Sequence, residues 1–325
     1  MTAELHGFCD PRFLPVKQAF AENFEAGLEL GASVAATWRG EPVVDLWAGW
    51  ADVAKTRAWD RDTVVPVSST TKIMVTLGLL MLIDAGRIDI DGSIATYWPE
   101  FAAGGKDGVT VRDLFTHQAG APGFTPPAPA SLFLDWEAST ARVATESHWF
   151  GGERRVIYHG STYGLIGGEL IRRVDGRSPT QFFHEEITTP AGLDFYLGFA
   201  DVPDPRRLAE VTPLPRPGGG PPDGLLGRLS GSVMRTEGLS PPATKNLSAN
   251  GVSNARSIAR LCAIFATGGV LDGRRYLSPA LVAESYREQA HGHCPYLGEI
   301  RLGLGFGLNS VPFWPESGRS LIEAP

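Results

Sequence analysis

Cysteine is scarce in this chain of 325 residues, and Cys9, Cys262 and Cys294 lie far apart in the sequence. Three widely spaced cysteines do not make a disulfide framework, so they indicate a reducing compartment. The first residues, MTAELHGFCDPRF, lack the basic and apolar regions of a signal peptide. The longest apolar run, Ile73 to Ile83, is too short to span a bilayer. We therefore expect a cytoplasmic protein that does not bind membranes.

Basic residues are outnumbered as well, with 29 lysines and arginines against 36 acidic residues and a formal net charge of −7. The sequence has no block of basic residues that could follow a phosphate backbone, so nucleic acid is not an expected partner. Hydrophobic residues make up 43% of the chain, which is ordinary for a globular protein. Only five residues are lysines, and one of them, Lys72, lies inside an apolar segment.

The apolar pattern predicts strands near both ends of the chain and helices between them. Gly31 to Asp52 indicates two strands that form a hairpin around the turn Arg39-Gly40-Glu41-Pro42. Lys72 to Ala85 has helical spacing of apolar residues and stops at Gly86, so it predicts a largely buried helix. The other predicted elements are a helix from Thr162 to Val174, a helix within Ser253 to Gly269, a glycine-interrupted strand from Arg301 to Val311, and an exposed loop from Leu214 to Gly224.

The lysine in the first of these helices follows a serine by three residues. Ser69 and Lys72 would share one face, so the amine could remove the proton of a hydroxyl that is otherwise a poor nucleophile. Apolar neighbours would lower the pKa of the lysine, and N–H groups at the helix start could hold an oxyanion. The spacing alone is equally compatible with a structural arrangement, in which Ser68 or Ser69 caps the helix and Lys72 extends to solvent.

The wider context resembles a known family. The segment VSSTTK, Val67 to Lys72, is similar to the Ser-x-x-Lys motif of serine β-lactamases and penicillin-binding proteins, most closely the class C β-lactamase-like carboxylesterases, known as family VIII esterases. Other segments agree in the same order along the chain: LIDAGRIDIDGSIATYWPEF from Leu82, VTVRDLFTHQAGAPG from Val109, YHGSTYGLIGGELIRRVDGRS from Tyr158, and NARSIARLCAIFATGGVLDGRRYLSP from Asn254.

This resemblance implies an α/β fold of the α+β type, with an antiparallel sheet flanked by helices and a mostly helical lobe. One catalytic domain would span residues 1–325, with residues 1–85 and 235–325 in the α/β lobe and residues 86–234 in the helical lobe. The family's third motif, on a late strand, is not found before the sequence ends at SGRSLIEAP. We therefore expect that C-terminal strands are missing and that the natural gene product is longer.

The resemblance also implies roles for three residues. Ser69 corresponds to the acylated nucleophile, Lys72 to the lysine that activates it, and Tyr158 to the tyrosine of the second motif, which can act as a phenolate base. The aromatic residues Trp136 and Trp149, with Phe150, could line an acyl pocket or fill the helical lobe. His117 is expected to be a structural loop residue.

The implied activity is a carboxylesterase reaction that proceeds through an acyl-enzyme on Ser69. The second motif is Tyr158-His159-Gly160, which lacks the asparagine amide that would hold a β-lactam, so a small-molecule ester is the expected substrate. Four alternatives stay open: a β-lactamase, a D-Ala-D-Ala peptidase-like enzyme, an acyltransferase, or an inactive member that lacks the third motif. No cofactor is expected. No metal is expected either, because the adjacent residues of HGHC, His291 to Cys294, seldom make a closed site alone. The sequence does not indicate an oligomeric state.

Overall fold

The computed structural model of this chain describes residues 4–211, 225, 246–295 and 297–308. The predicted loop from Leu214 to Gly224 lies outside the described residues. So does the stretch after residue 308, where a further C-terminal strand would have to begin. The division of the chain into two lobes stays a prediction.

The N-terminal part folds into a three-stranded antiparallel sheet with one helix. Its strands are β1, Leu5–Cys9, β2, Gly31–Trp38, and β3, Glu41–Gly49, in the order β1-β3-β2, and helix α1 is Leu14–Glu25. The turn between β2 and β3 places Arg39 and Gly40 at positive φ, the geometry of a two-residue hairpin turn. The predicted hairpin is confirmed.

Helix α2, Lys72–Asp84, lies at the centre of the main hydrophobic core. It follows a 3₁₀ turn, Ser68–Thr71, and its apolar residues point in all directions, so the helix is buried on all sides. It packs against α6, Thr162–Asp175. A Cβ atom on Gly167 of α6 would come within 2.4 Å of Val75, so this glycine allows the two helices to approach closely. Both predicted helices are confirmed.

Short helices and one strand surround this pair. They are α3, Ile94–Tyr97, α4, Val111–Phe115, α5, Trp136–Thr145, α7, Pro179–Phe183, and β5, Phe195–Leu197. Strand β5 belongs to a second antiparallel sheet with β4, Val65–Pro66, and β6, Gly251–Ser253, in the order β4-β6-β5. This small sheet fixes the residues just before Ser69, since the Val67 N–H donates to the carbonyl of Gly251 over 2.9 Å.

The last described part contains helix α8, Ala255–Ala266, which confirms the helix predicted between Ser253 and Gly269 and packs against β2. The elements that follow are β7, Val270–Leu271, β8, Arg274–Arg275, α9, Pro279–Ser285, β9, Ala290–Cys294, β10, Gly298–Leu302, and β11, Gly307–Leu308. The sheets are antiparallel throughout, so the predicted fold class is confirmed.

The predicted single strand from Arg301 to Val311 is wrong in its described part. The chain leaves β10 after Leu302, turns through Gly305 at φ 77°, and returns as β11 beside β10. The turn is held because Leu304 is buried and Gly305 lies against Thr76 of α2, where a Cβ atom would come within 2.5 Å. Residues 309–311 lie outside the described range.

Within the described ranges, no helix is both long and apolar enough to cross a membrane.

Candidate active site

Ser69 lies in the 3₁₀ turn that leads into α2, with its side chain exposed to solvent. The preceding residue, Ser68, has a positive φ of 45°, an uncommon conformation for a residue other than glycine. One turn further on, Lys72 Nζ lies 3.2 Å from Ser69 Oγ. The spacing of the two residues therefore produces the predicted contact.

Lys72 has two more partners, both of them main-chain carbonyls. Its Nζ donates to the carbonyl oxygens of Gly160, over 3.0 Å, and of Ser248, over 2.9 Å. The side chain is 8% exposed, and burial lowers the pKa of Lys72 to about 7. A neutral amine has two N–H donors and one lone pair. In that form, the two carbonyls take both donors, and the lone pair can accept the hydrogen bond of Ser69.

Tyr158 completes the group, because its side chain lies beside both Ser69 and Lys72. Its ring lies 4.9 Å from Lys72 Nζ. Burial raises the pKa of Tyr158, and the nearby Ser69 hydroxyl only partly opposes that shift. The phenolate expected from the sequence is therefore disfavoured in the resting site, where Tyr158 is a neutral phenol that can donate as well as accept a hydrogen bond.

The two carbonyls that accept from Lys72 belong to Gly160 and Ser248, which are far apart in the sequence. The hydroxyl of Ser248 links these two parts of the chain. Ser248 Oγ accepts a hydrogen bond from the N–H of Gly164, in the first turn of α6, over 2.6 Å and donates to the carbonyl of Ser161 over 2.9 Å. Ser248 thus caps α6 from outside the helix. Backbone carbonyls carry no residue-type signal, so sequence reasoning missed both acceptors.

A groove of about 1240 Å³ lies beside the turn that carries Ser69. It is lined by Gly31–Thr37 of β2, by the exposed side of α8, and by Ser68 and Thr70, which flank Ser69. Within the described part of the chain, β2 pairs with β3 alone, so its other edge faces the groove. Ser69, Lys72 and Tyr158 do not themselves line this groove.

The three aromatic residues predicted for an acyl pocket do not line this groove. Trp136 Nε1 donates to the buried Glu169 over 3.0 Å, and its ring packs against the main core. Trp149 Nε1 donates to Glu146, also over 3.0 Å, and the Phe150 ring contacts the guanidinium of Arg155. These contacts agree with the structural alternative, and a substrate-binding role for the three stays a prediction.

The HGHC segment does not gather its side chains in one place. His291 and His293 are exposed on β9 and face Glu299 of β10, whereas Cys294 is buried and its sulfur accepts from the Tyr158 N–H over 3.5 Å. Among the residues that the structure describes, no group of three or more histidine, cysteine, aspartate or glutamate side chains is arranged to hold a metal ion.

Comparisons with known proteins agree with this geometry. A family model described as Beta-lactamase matches residues 20–317. The protein named "Esterase/beta-lactamase LipL" of Mycobacterium tuberculosis is 34% identical over 294 residues, which cover 85% of this chain and 68% of that protein. A penicillin-binding protein homologue from Caulobacter crescentus and a family VIII carboxylesterase are each 36% identical, with TM-scores of 0.85 and 0.84, over 95% of this chain and 84% of each structure. The chain therefore belongs to the beta-lactamase family, a family of serine hydrolases.

Proposed function

We propose that this protein is a serine carboxylesterase that hydrolyses small-molecule esters through an acyl-enzyme on Ser69. The observation that carries the proposal is the contact of 3.2 Å between the Ser69 hydroxyl and a buried amine with a pKa of about 7. An amine with that pKa is neutral in about half of the molecules at neutral pH, so it can act as a general base under physiological conditions.

In the first step, Ser69 Oγ attacks the ester carbonyl carbon, and its proton moves to Lys72 Nζ. The resulting ammonium keeps the carbonyls of Gly160 and Ser248 as acceptors, so the charge that forms is solvated by two fixed dipoles. The negative charge that develops on the substrate oxygen lies at the start of α2, where main-chain N–H groups and the helix dipole favour an anion.

The tetrahedral intermediate then collapses, and the alcohol leaves with a proton. That proton comes from the Lys72 ammonium, either directly or through the Tyr158 hydroxyl, whose ring lies 4.9 Å from Lys72 Nζ. In the second step, water attacks the acyl carbon and gives its proton to the same neutral amine. The acid is released when Ser69 Oγ takes a proton back, and the site returns to its starting state.

Esters are favoured over β-lactams for two reasons. First, the second motif, Tyr158-His159-Gly160, carries no side-chain amide that could hold the acylamino group of a β-lactam. Its last residue, Gly160, contacts Lys72 through its main-chain carbonyl. In addition, a family VIII carboxylesterase is among the similar solved structures. β-Lactam hydrolysis is the second candidate, because the name of the 34% identical relative includes both activities.

The test is hydrolysis of p-nitrophenyl acetate and butyrate, with the chromogenic cephalosporin nitrocefin measured in parallel. Wild-type protein should hydrolyse the esters, and Ser69→Ala should reduce kcat by at least about 10³-fold. Mass spectrometry of a quenched reaction should find the acyl group on the peptide that contains Ser69.

Ser147→Ala, which alters an exposed serine of another loop, is the matched control and should keep full activity. Full ester hydrolysis by Ser69→Ala would refute the mechanism. Faster turnover of nitrocefin than of either ester would favour the second candidate.

A further inference from the structure

The segment that carries Tyr158 has no regular secondary structure of its own. Residues 153–159 lie outside any helix or strand, yet this segment supplies the phenol of Tyr158 and leads into the Gly160 carbonyl that accepts from Lys72. A shift of the segment would move both groups together. Something outside it must therefore fix its position relative to α2.

His117 accepts hydrogen bonds from this segment on both sides of Tyr158. The N–H of Ile157 donates to the main-chain carbonyl of His117 over 3.0 Å, and the N–H of His159 donates to its ring atom Nδ1 over 3.1 Å. The His117 ring centroid also lies 4.7 Å from that of Tyr158 and 5.2 Å from that of Tyr163 on α6. One residue thus holds both neighbours of the tyrosine and packs against its ring.

The backbone of His117 is unusual in a way that makes this double contact possible. Its φ is 57°, in the left-handed region that residues other than glycine seldom adopt. It follows α4, where the His117 N–H donates to the carbonyl of Leu114 over 3.1 Å. Strained conformations of this kind persist where the surrounding contacts fix them, and they are concentrated at functional sites.

The ring is also in the protonation state that the contact needs. Nδ1 can accept the His159 N–H only in the neutral imidazole, with the proton on Nε2. Burial, followed by the nearby His159 and Lys72, holds the pKa of His117 well below its usual range. The groups that face it are His159, Tyr158, Lys72 and Tyr163, none of which is a carboxylate.

We propose that His117 is a positioning residue that fixes the Tyr158 hydroxyl and the Gly160 carbonyl relative to Ser69 and Lys72. The proposal rests on the proposed function, and it adds a residue that touches none of the reacting atoms. The side-chain feature that this role requires is an acceptor atom at the δ position, which in His117 is Nδ1.

The test compares two substitutions that differ in this atom. His117→Asn keeps an acceptor oxygen at the δ position, and asparagine tolerates positive φ. His117→Leu keeps much of the volume but has no acceptor. We expect His117→Leu to lower kcat about 30-fold with KM changed less than about threefold, and His117→Asn to recover kcat to within about fivefold of wild type.

A double-mutant cycle separates positioning from general destabilisation. In the Tyr158→Phe background, His117→Leu should cost less than about fivefold in kcat, because the hydroxyl that it positions is already absent. An equal loss in both backgrounds would refute the proposal. So would equal activity of the asparagine and leucine variants. Thermal melting of each variant shows that the comparison is made on folded protein.

A second readout does not depend on turnover. The chain has seven tyrosines, so a sample labelled with ¹³C at tyrosine Cζ gives a simple spectrum, and the Tyr158 signal is the one that disappears in Tyr158→Phe. Both variants remove the ring that packs against Tyr158, so both should shift this signal, but His117→Leu should shift it further because it alone also loses the acceptor for the His159 N–H. Equal shifts in the two variants would refute the positioning role even if no ester is hydrolysed, while a larger shift in His117→Leu without ester hydrolysis would refute only the proposed function.

Discussion

The pH dependence of ester hydrolysis should follow the ionisation of Lys72. Burial lowers the pKa of this amine to about 7, and only the neutral form can accept the proton of Ser69. At pH 5, about 1% of the amine is neutral, so kcat/KM should be about 100-fold below its plateau. Log kcat/KM should rise by about one for each pH unit below the midpoint and level off above about pH 8.

The other titratable groups that face Lys72 should not cause the rise of kcat/KM between pH 5 and 8. Burial lowers the pKa of His159 to about 4 and holds the pKa of His117 well below its usual range, so both rings are neutral where Lys72 titrates. The pKa of Tyr158 is raised by burial, so its phenol keeps its proton there as well. A midpoint near 7 therefore belongs to the lysine.

The assay is the initial rate with p-nitrophenyl acetate from pH 5 to 9, followed at the wavelength where p-nitrophenol and its anion absorb equally. Lys72→Arg is the control, since a guanidinium keeps the charge but cannot become a base, and it should lose about 10²–10⁴-fold at every pH. A profile that is flat from pH 5 to 8, or a midpoint above pH 9 as for an ordinary lysine, would contradict the assigned base.

Two further substitutions test the framework of the site. Ser248→Ala leaves the N–H of Gly164 without its acceptor and should lower the free energy of unfolding in urea by about 1–3 kcal/mol. It should also lower kcat. If neither the free energy of unfolding nor kcat changed, the Ser248 hydroxyl would not be what holds the Ser248 carbonyl against Lys72. Gly120→Ala should lower the melting temperature more than Gly105→Ala, because both glycines have positive φ but only at Gly120 would the new methyl group meet a ring, that of His148, at 2.1 Å. Equal melting temperatures would indicate that the His148 ring moves aside without cost.

The contact between Ser69 and Lys72 was predictable from local sequence because it depends on a single turn of chain. The spacing of Ser69 and Lys72 brings their side chains together in any helix-like segment, and the apolar residues of Lys72–Asp84 predict both the helix and the burial that lowers the pKa. The hairpin of β2 and β3 was predictable for the same reason, since its turn residues and flanking strands are adjacent in sequence.

The rest of the site depends on contacts that no local pattern encodes. The carbonyls of Gly160 and Ser248 reach Lys72 from 88 and 176 residues away, and a main-chain oxygen has the same chemistry whichever residue carries it. The turn through Gly305 was missed because a glycine-rich apolar segment fits a bulged strand as well as a tight hairpin. The position of Leu304 and Gly305 against the core decides between them.

One physical cause sets the protonation of both partners of Ser69. Burial disfavours charge, so it lowers the pKa of the Lys72 amine and raises that of the Tyr158 phenol, which favours a neutral amine and a neutral phenol beside Ser69. In the proposed mechanism, the rate therefore depends on the packing at the start of α2. A substitution there that admits water and raises the pKa of Lys72 to about 8 would lower the neutral fraction at pH 7 from about a half to about a tenth. The rate at pH 7 would fall about fivefold and would be restored at pH 9, although none of the three side chains had changed.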